Sequence, residues 1–238
     1  MNIIASFRDP LLLADDFAGM LARISPIAAK LASYDASLRA ENWRLKGDTL
    51  EEAMLYQVYD ANGEATPAAL AVLREAFRGE HAFTYAALWD GNRDASKGAS
   101  ISCHIADKTI PDRLSITIRG PAWQDYRAVA DLVAKIVEVF EPLLVDVSDE
   151  KYVLKQVFDD KPGVGWMLYL PHRITTQQVP EARALIPIPS AGRKQTGTII
   201  VSVVDEVFSA DNPEHVEIAN RIEIRLVDHD LLPTYLSL

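Results

Sequence analysis

Apolar residues recur at helical spacing in several stretches of the chain. The first follows Asp9 and Pro10, which supply a cap and a proline for the first helical turn. Shorter stretches begin at Thr49 and Pro67, and the longest amphipathic one runs from residue 122 to residue 140. The inward face of the first helix is predicted to contain Leu13, Phe17, Leu21, Ile24, Ala28 and Leu31.

The last amphipathic stretch begins at residues 211–213 and has two interpretations. Helical spacing would turn one set of apolar residues inward, namely Val216, Ala219, Ile222 and Leu226. Residues 222–226 also alternate between apolar and charged side chains as a strand does. Helix and strand therefore both stay open for the end of this stretch.

Short apolar or alternating runs predict the strands. They cover residues 2–7, 83–89, 100–106, 113–119, 143–147, 166–170 and 198–204. Residues 171–196 contain four prolines and several turn signals, so they are predicted to form a long irregular connection of the kind that often binds a ligand. Helices and strands come in groups without regular alternation. This order predicts an α+β fold with a mainly antiparallel sheet flanked by helices, in one two-lobed domain over residues 1–238.

The burial of each tryptophan is predicted mainly from its neighbours in the sequence. Trp43, Trp89 and Trp166 lie in or beside predicted strands with apolar neighbours, which favours core packing. Trp123 follows Gly-Pro at a predicted helix start, which favours exposure. Gly47 breaks the segment after Trp43, and we expect it to have a backbone conformation that a bulkier residue resists.

The formal net charge of −10 argues against nucleic acid as a direct ligand, because phosphate binding needs clustered Lys and Arg. Residues 1–119 contain 16 acids and 13 bases, whereas residues 120–238 contain 18 acids and 11 bases. Most of the excess lies in residues 138–160 and 205–230. A run of charge is usually only a solvated surface, and the alternative is a docking face for a basic partner.

Docking would use acids at the ends of predicted strands, where the chain normally reaches the surface. The first choice is the group formed by Asp205, Glu206, Asp211 and Glu214. The side chain of Asp211 could instead cap the last helix. The second choice is the group formed by Asp146, Asp149 and Glu150.

Catalytic, cofactor-binding and metal-binding motifs are not found. The five histidines lack the spacing that puts two imidazoles on one helix face. Adjacent Cys103 and His104 on a strand would point to opposite faces, and the glycines of residues 161–165 lead into a strand, as in an ordinary turn. The sequence Asp228-His229-Asp230 is the best local candidate for a general base, although such residues at a helix end usually face solvent.

The location of the protein is predicted from what the chain lacks. No apolar run approaches the length of a membrane span, and the first residues lack the pattern of a signal peptide. A single cysteine cannot form an internal disulfide. These features predict a cytoplasmic protein without a membrane partner.

Short motifs along the chain resemble those of bacterial polymorphic-toxin immunity protein family 52. The main one is residues 43–54, a Trp-x-Leu segment that breaks at Gly47 and restarts as a helix with the Thr49-x-x-Glu52 spacing of a capping box. The others are Trp89-Asp90-Gly91, residues 165–171 and residues 224–233.

The resemblance implies a non-catalytic inhibitor that binds and neutralises a cognate toxin and needs no cofactor. Toxins paired with this family are typically restriction-endonuclease-like nucleases, often delivered by type VI secretion. An acidic inhibitor would complement the basic cleft of such a nuclease. The alternative function is an uncharacterised cytoplasmic enzyme with a site assembled from distant residues such as Asp228, His229 and His172. The oligomeric state stays open between monomer and homodimer.

Overall fold

Two groups of antiparallel strands, each with helices, make up the fold in a computed structural model that describes residues 1–94, 96–189 and 194–238. In chain order the helices and strands are β1 (Asn2–Phe7), α1 (Phe17–Tyr34), β2 (Arg44–Leu45), α2 (Leu50–Leu55), α3 (Pro67–Ala76), β3 (Thr84–Trp89), β4 (Gly98–Ile105), β5 (Asp112–Arg119), α4 (Tyr126–Phe140), β6 (Leu144–Ser148), β7 (Met167–Leu170), β8 (Ala184–Ile188), β9 (Gly197–Val201) and α5 (Pro213–Asp228). The predicted α+β class is confirmed.

The chain divides into two compact units. The N-terminal unit comprises Phe7–Ala122 and Glu138–Glu141, and the C-terminal unit comprises Met1–Ser6, Trp123–Val137 and Pro142–Leu238. That residues 1–238 act as one domain stays a prediction. Within the described ranges, no helix combines the length and the apolar character needed to cross a bilayer.

Strands of the N-terminal unit pair in the order β2-β3-β4-β5, all antiparallel. One face of this sheet is apolar and buried: Leu88, Ile101 and Ile116 are each at most 1% exposed. Along β4 and β5 the buried side chains alternate with side chains that point to the other face and are mostly at least partly exposed. The sequence pattern predicts this for an antiparallel sheet.

Helix α1 begins later than the sequence predicts. Asp16, and not Asp9, caps it, because the Asp16 side chain accepts a hydrogen bond from the backbone N–H of Gly19. The carboxylate of Asp9 accepts from Leu11 N in the preceding turn. Leu13, predicted to face inward, lies before the helix and is 57% exposed. The remaining predicted inward residues of this helix are buried, namely Phe17, Leu21, Ile24, Ala28 and Leu31.

Trp43 is fully buried, as predicted, and its indole Nε1 donates to the carbonyl of Leu38 at 3.0 Å. Helix α2 follows with only half of the reciprocal capping box. Thr49 Oγ1 accepts from Glu52 N at 3.2 Å, but the Glu52 carboxylate accepts from Asp48 N at 3.1 Å and not from Thr49 N. The sequence therefore predicts the cap correctly but misassigns the return bond by one residue.

Gly47 is required for a reason other than the predicted one. Its φ lies outside the left-handed region, so the expectation of a special backbone conformation is wrong. A Cβ at this position would instead lie 2.8 Å from Ala53 N and 2.9 Å from Glu52 Cβ. The close approach of the first turn of α2 therefore excludes a side chain.

Strands of the C-terminal unit pair in the order β1-β6-β7-β9-β8, again antiparallel. Every residue of β7 and β9 is buried, so these two strands are covered on both faces. Strand β8 lies within residues 171–196, and the prediction that this stretch is irregular throughout is wrong. It pairs with β9 at the sheet edge, for example Ile186 with Ile199, where Pro187 is tolerated. Residues 190–193 of that stretch lie outside the described residues.

The remaining helices also correct two predictions. Helix α4 begins at Tyr126 and not at residue 122, because Pro121–Trp123 forms a 3₁₀ turn. Trp123 is 2% exposed, so its predicted exposure is wrong. Helix α5 is helical from Pro213 to Asp228, which settles the ambiguity of residues 222–226.

Candidate functional site

The two acidic groups that the sequence offers as alternatives lie side by side in the C-terminal unit. Lys151 Nζ lies 2.5 Å from Asp211 Oδ2, and Ala210 N donates to Asp149 Oδ2 at 3.5 Å. Lys155 Nζ donates to the carbonyl of Ala210 at 2.6 Å. We call the acidic surface the set of carboxylates on these two segments: Asp149, Glu150, Asp205, Glu206, Asp211 and Glu214.

Element boundaries place these carboxylates at the surface. Strand β6 ends at Ser148, and Asp149 caps the 3₁₀ turn Glu150–Leu154 by accepting from Lys151 N at 3.1 Å. On the other segment, Asn212 caps α5 by accepting from Glu214 N at 3.0 Å. The alternative prediction that Asp211 caps this helix is therefore wrong.

Several carboxylates of the acidic surface already have partners within the chain. The hydrogen bond from Lys151 lowers the pKa of Asp211 and raises that of the lysine, although both side chains are more than 60% exposed. Glu206 Oε1 lies 3.1 Å from Nε2 of buried His215. Glu150 accepts from the Asn2 side chain at 3.0 Å. The bonds of Asp211 with Lys151 and of Glu150 with Asn2 are exposed and weak, so a partner could replace them at small cost.

Asp205 and Glu214 differ from the other members of the acidic surface. Both are exposed, and within residues 1–94, 96–189 and 194–238 neither carboxylate has a hydrogen-bond or ion-pair partner. Asp146 does not belong with them, because it lies within strand β6 and is only half-exposed. Within the acidic surface, Asp205 and Glu214 are therefore the carboxylates most available to a basic partner.

The overall charge does not single out the unit that carries the acidic surface. Counted over its residues, the C-terminal unit has 16 acids and 11 bases, and the N-terminal unit has 18 acids and 13 bases. Each unit therefore has a net charge of −5. The acidic excess of the second half of the sequence disappears when charges are assigned to the folded units, so only the local arrangement supports a docking face.

A groove of about 460 Å³ runs beside the acidic surface along α5. Its lining combines two bases, two acids and an amide with apolar side chains, of which Ile224 is 43% exposed. The Arg221 guanidinium pairs with Glu217 one helical turn earlier. The lining residues are Lys155, Asp211, Pro213, Val216, Glu217, Asn220, Arg221 and Ile224. This composition suits a protein partner better than a single charged group.

Buried Glu223 holds the segment that follows Asp149 and Glu150 against α5. It is 1% exposed, and its Oε1 accepts from Val164 N at 2.9 Å while Oε2 accepts from Val157 N at 2.8 Å. The Tyr152 hydroxyl donates to the same carboxylate at 2.5 Å and lies 2.9 Å from the Asn220 amide. Three donors around one carboxylate thus attach residues 152–164 to α5.

Residues considered for catalysis are not assembled into a site. His172, Asp228, His229 and Asp230 are all exposed, and no hydrogen bond joins any two of these side chains in the described ranges. Cys103 is buried and burial raises its pKa to about 12, so it stays a thiol near neutral pH. The described residues contain no group of three or more His, Cys, Asp or Glu that could hold a metal ion.

The fold and surface thus define an α+β protein with an exposed acidic surface beside a groove. A family model for Immunity protein 52 matches residues 17–235, so the chain belongs to the Immunity protein 52 family. This confirms the resemblance drawn from residues 43–54 and the other motifs. The matched range begins at the first residue of α1 and ends three residues before the last residue of the sequence, so it contains every helix and every strand except β1.

Comparison with other proteins adds support for the fold alone. The structure is similar to that of the T6SS protein PA0821 of Pseudomonas aeruginosa, with a TM-score of 0.52 and 11% sequence identity. The similarity covers 94% of this chain and 75% of that one. No curated protein matches the chain.

Proposed function

We propose that the protein binds and neutralises a cognate bacterial toxin without catalysing a reaction. Membership of the Immunity protein 52 family over residues 17–235 carries this proposal. The exposed acidic surface and its neighbouring groove support it, since together they would offer a partner both charged and apolar contacts. The protein would act in the cytoplasm, where a toxin from the same or a competing cell would meet it.

The toxin, in this proposal, is a restriction-endonuclease-like nuclease delivered by type VI secretion. The substrate cleft of a nuclease is basic because it binds phosphates. The free carboxylates of Asp205 and Glu214 would complement such a cleft and increase the association rate. The inhibitor itself would bind no nucleic acid, since its net charge of −10 repels phosphate.

Co-expression with the product of the adjacent gene tests the proposed function. We expect the neighbouring protein to stop growth when expressed alone, and growth to be restored when this chain is expressed with it. The two proteins should also co-purify. If the neighbour is toxic and this chain, expressed in folded form, leaves its toxicity unchanged, the proposed function is wrong.

A cleavage assay then tests the nuclease proposal separately. The purified neighbouring protein should degrade DNA or RNA, and one equivalent of this chain should stop the cleavage. A toxin that is neutralised by the chain but cleaves neither nucleic acid would contradict the nuclease assignment and leave the immunity function intact.

A further inference from the structure

The open face of the N-terminal sheet carries positive charge in an acidic protein. Outward positions of β3, β4 and β5 are occupied by Tyr85, Trp89, His104, Arg113 and Arg119, and otherwise only by glycine, alanine, serine and threonine. None of these positions holds Asp or Glu. The N-terminal unit as a whole has a net charge of −5. The carboxylate of Asp90, a residue that is 7% exposed, lies against Gly98 at the end of this face.

Aromatic and cationic side chains share one row across this sheet. Tyr85 lies opposite His104 on β4, and His104 lies opposite Arg113 on β5. The rings of Tyr85 and His104 stack with centroids 5.2 Å apart, and Tyr85 is 40% exposed. The row thus places stacked aromatic rings beside a guanidinium group. Aromatic side chains and arginine are both common at the hot spots of protein interfaces.

Three cations on this face are not neutralised within the chain. Lys46, Arg113 and Arg119 are exposed, and the described residues provide no ion pair or hydrogen bond to their charged groups. Lys46 lies at the end of β2, where its N–H donates to the carbonyl of Ala87 at 2.9 Å. The pKa of His104 is lowered by burial and further by the nearby charges of Arg113 and Lys46.

We propose that this cationic sheet face, defined by Lys46, Tyr85, His104, Arg113 and Arg119, docks an acidic segment of a polypeptide partner. Tyr, Trp and Arg are the residues most enriched at energetic hot spots between proteins. Arg113 and Arg119 are six residues apart on β5, a distance of about 20 Å along a strand. An extended segment of about six to eight residues would reach both.

Charge favours a short acidic polypeptide over nucleic acid. A nucleic acid strand carries a charge at every phosphate and would extend past the face toward the acidic remainder of the protein. A short acidic segment would be confined to the cationic sheet face. Salt would screen its repulsion by the more distant carboxylates of the protein.

This interface is separate from the one in the proposed function. A basic toxin cleft complements the acidic surface of the C-terminal unit, whereas the cationic sheet face repels it. The inference therefore holds whether or not the chain neutralises a toxin, and its test uses neither a toxin nor growth.

A fluorescently labelled oligoglutamate of about eight residues is the probe, matched in length to the face. Titration of the whole chain at an ionic strength of about 0.1 M, where the Debye length is about 10 Å, should give saturable binding by fluorescence anisotropy. Binding should weaken about tenfold or more in Arg113→Glu with Arg119→Glu, and it should weaken with added salt. Arg74→Glu with Arg173→Glu is the matched control, since both residues are exposed and the net charge changes equally. This control should bind within about twofold of the unchanged chain.

Three outcomes would overturn the proposal. These are no saturable binding of oligoglutamate, equal losses in the double variant and its control, or tighter binding of a single-stranded oligothymidine of matched length. The last would assign the face to nucleic acid. Circular dichroism checks the folding of each variant, and Arg113→Gln with Arg119→Gln, which should also weaken binding, replaces the charge reversal if that variant does not fold.

Discussion

The Tyr152 hydroxyl donates a hydrogen bond of 2.5 Å to the carboxylate of Glu223, and both groups are buried. The bond joins the 3₁₀ turn after β6 to the middle of α5. Asp149 and Glu150 begin that turn, and Glu214 lies in the first turn of α5. The buried pair therefore fixes the positions of these two parts of the acidic surface relative to each other.

Glu223→Gln should destabilise the protein by about 1–3 kcal/mol. The amide keeps the shape of the side chain but replaces one acceptor oxygen with a donor, which would face the N–H of Val157 or Val164, or the Tyr152 hydroxyl. Urea denaturation measures the loss. Glu217→Gln is the control, because that side chain is exposed on the same helix, and it should change stability by less than about 0.5 kcal/mol.

The cost of Glu223→Gln should depend on pH in a defined direction. Burial raises the pKa of Glu223 above its ordinary value of 4.5, and this exceeds the opposing effect of its hydrogen bonds. The folded state therefore holds this proton more tightly than the unfolded state does. The resulting stability is fully present below pH 4.5 and is lost as pH rises through the folded pKa. The difference in unfolding free energy between the unchanged chain and the variant should thus be larger at acid than at neutral pH. A difference that grows with rising pH would contradict the assigned direction.

Trp43→Ala should cost about 3–5 kcal/mol, since the side chain is fully buried and a cavity would remain. Trp43→Phe separates packing from hydrogen bonding. It keeps an aromatic ring but loses the donor to the Leu38 carbonyl, so we expect a smaller loss. Thermal unfolding of both variants is the measurement. An unchanged melting temperature in Trp43→Ala would show that the family motif does not anchor the core.

Sequence periodicity predicted most elements because their apolar faces are regular. Helix α4 and strands β4 and β5 each bury one face, so spacing alone reveals them. Strand β8 was missed because Pro187 is atypical of strands and is accepted here only at the sheet edge. The start of α1 was misplaced because two Asp residues, Asp9 and Asp16, can both cap a turn, and tertiary contacts decide between them.

Glu223 shows what the sequence could have revealed about the site. It lies in the buried stripe of α5 formed by His215, Ala219, Ile222 and Leu226, so a charged residue at an inward position was the available signal. Its partners could not be predicted, because Tyr152, Val157 and Val164 are at least 59 residues away in sequence. The merging of two acidic segments into one surface likewise depends on long-range pairing of β6, β7 and β9.

Charge reversal of Asp205→Lys with Glu214→Lys should slow association with the toxin by about tenfold or more at low ionic strength. These two acids are chosen because Glu206 contacts His215, so reversing that residue would also disturb the start of α5. The rate should also depend less on ionic strength, since part of the attraction has been removed. Stopped-flow or surface-based kinetics against salt concentration measures both effects.

Asp159→Lys with Asp160→Lys is the matched control, because both residues are exposed and the net charge changes equally. If the Asp205 and Glu214 variant overlays the unchanged chain at every salt concentration, the acidic surface does not steer the toxin, and the groove along α5 or residues 171–189 become the better candidates for the interface.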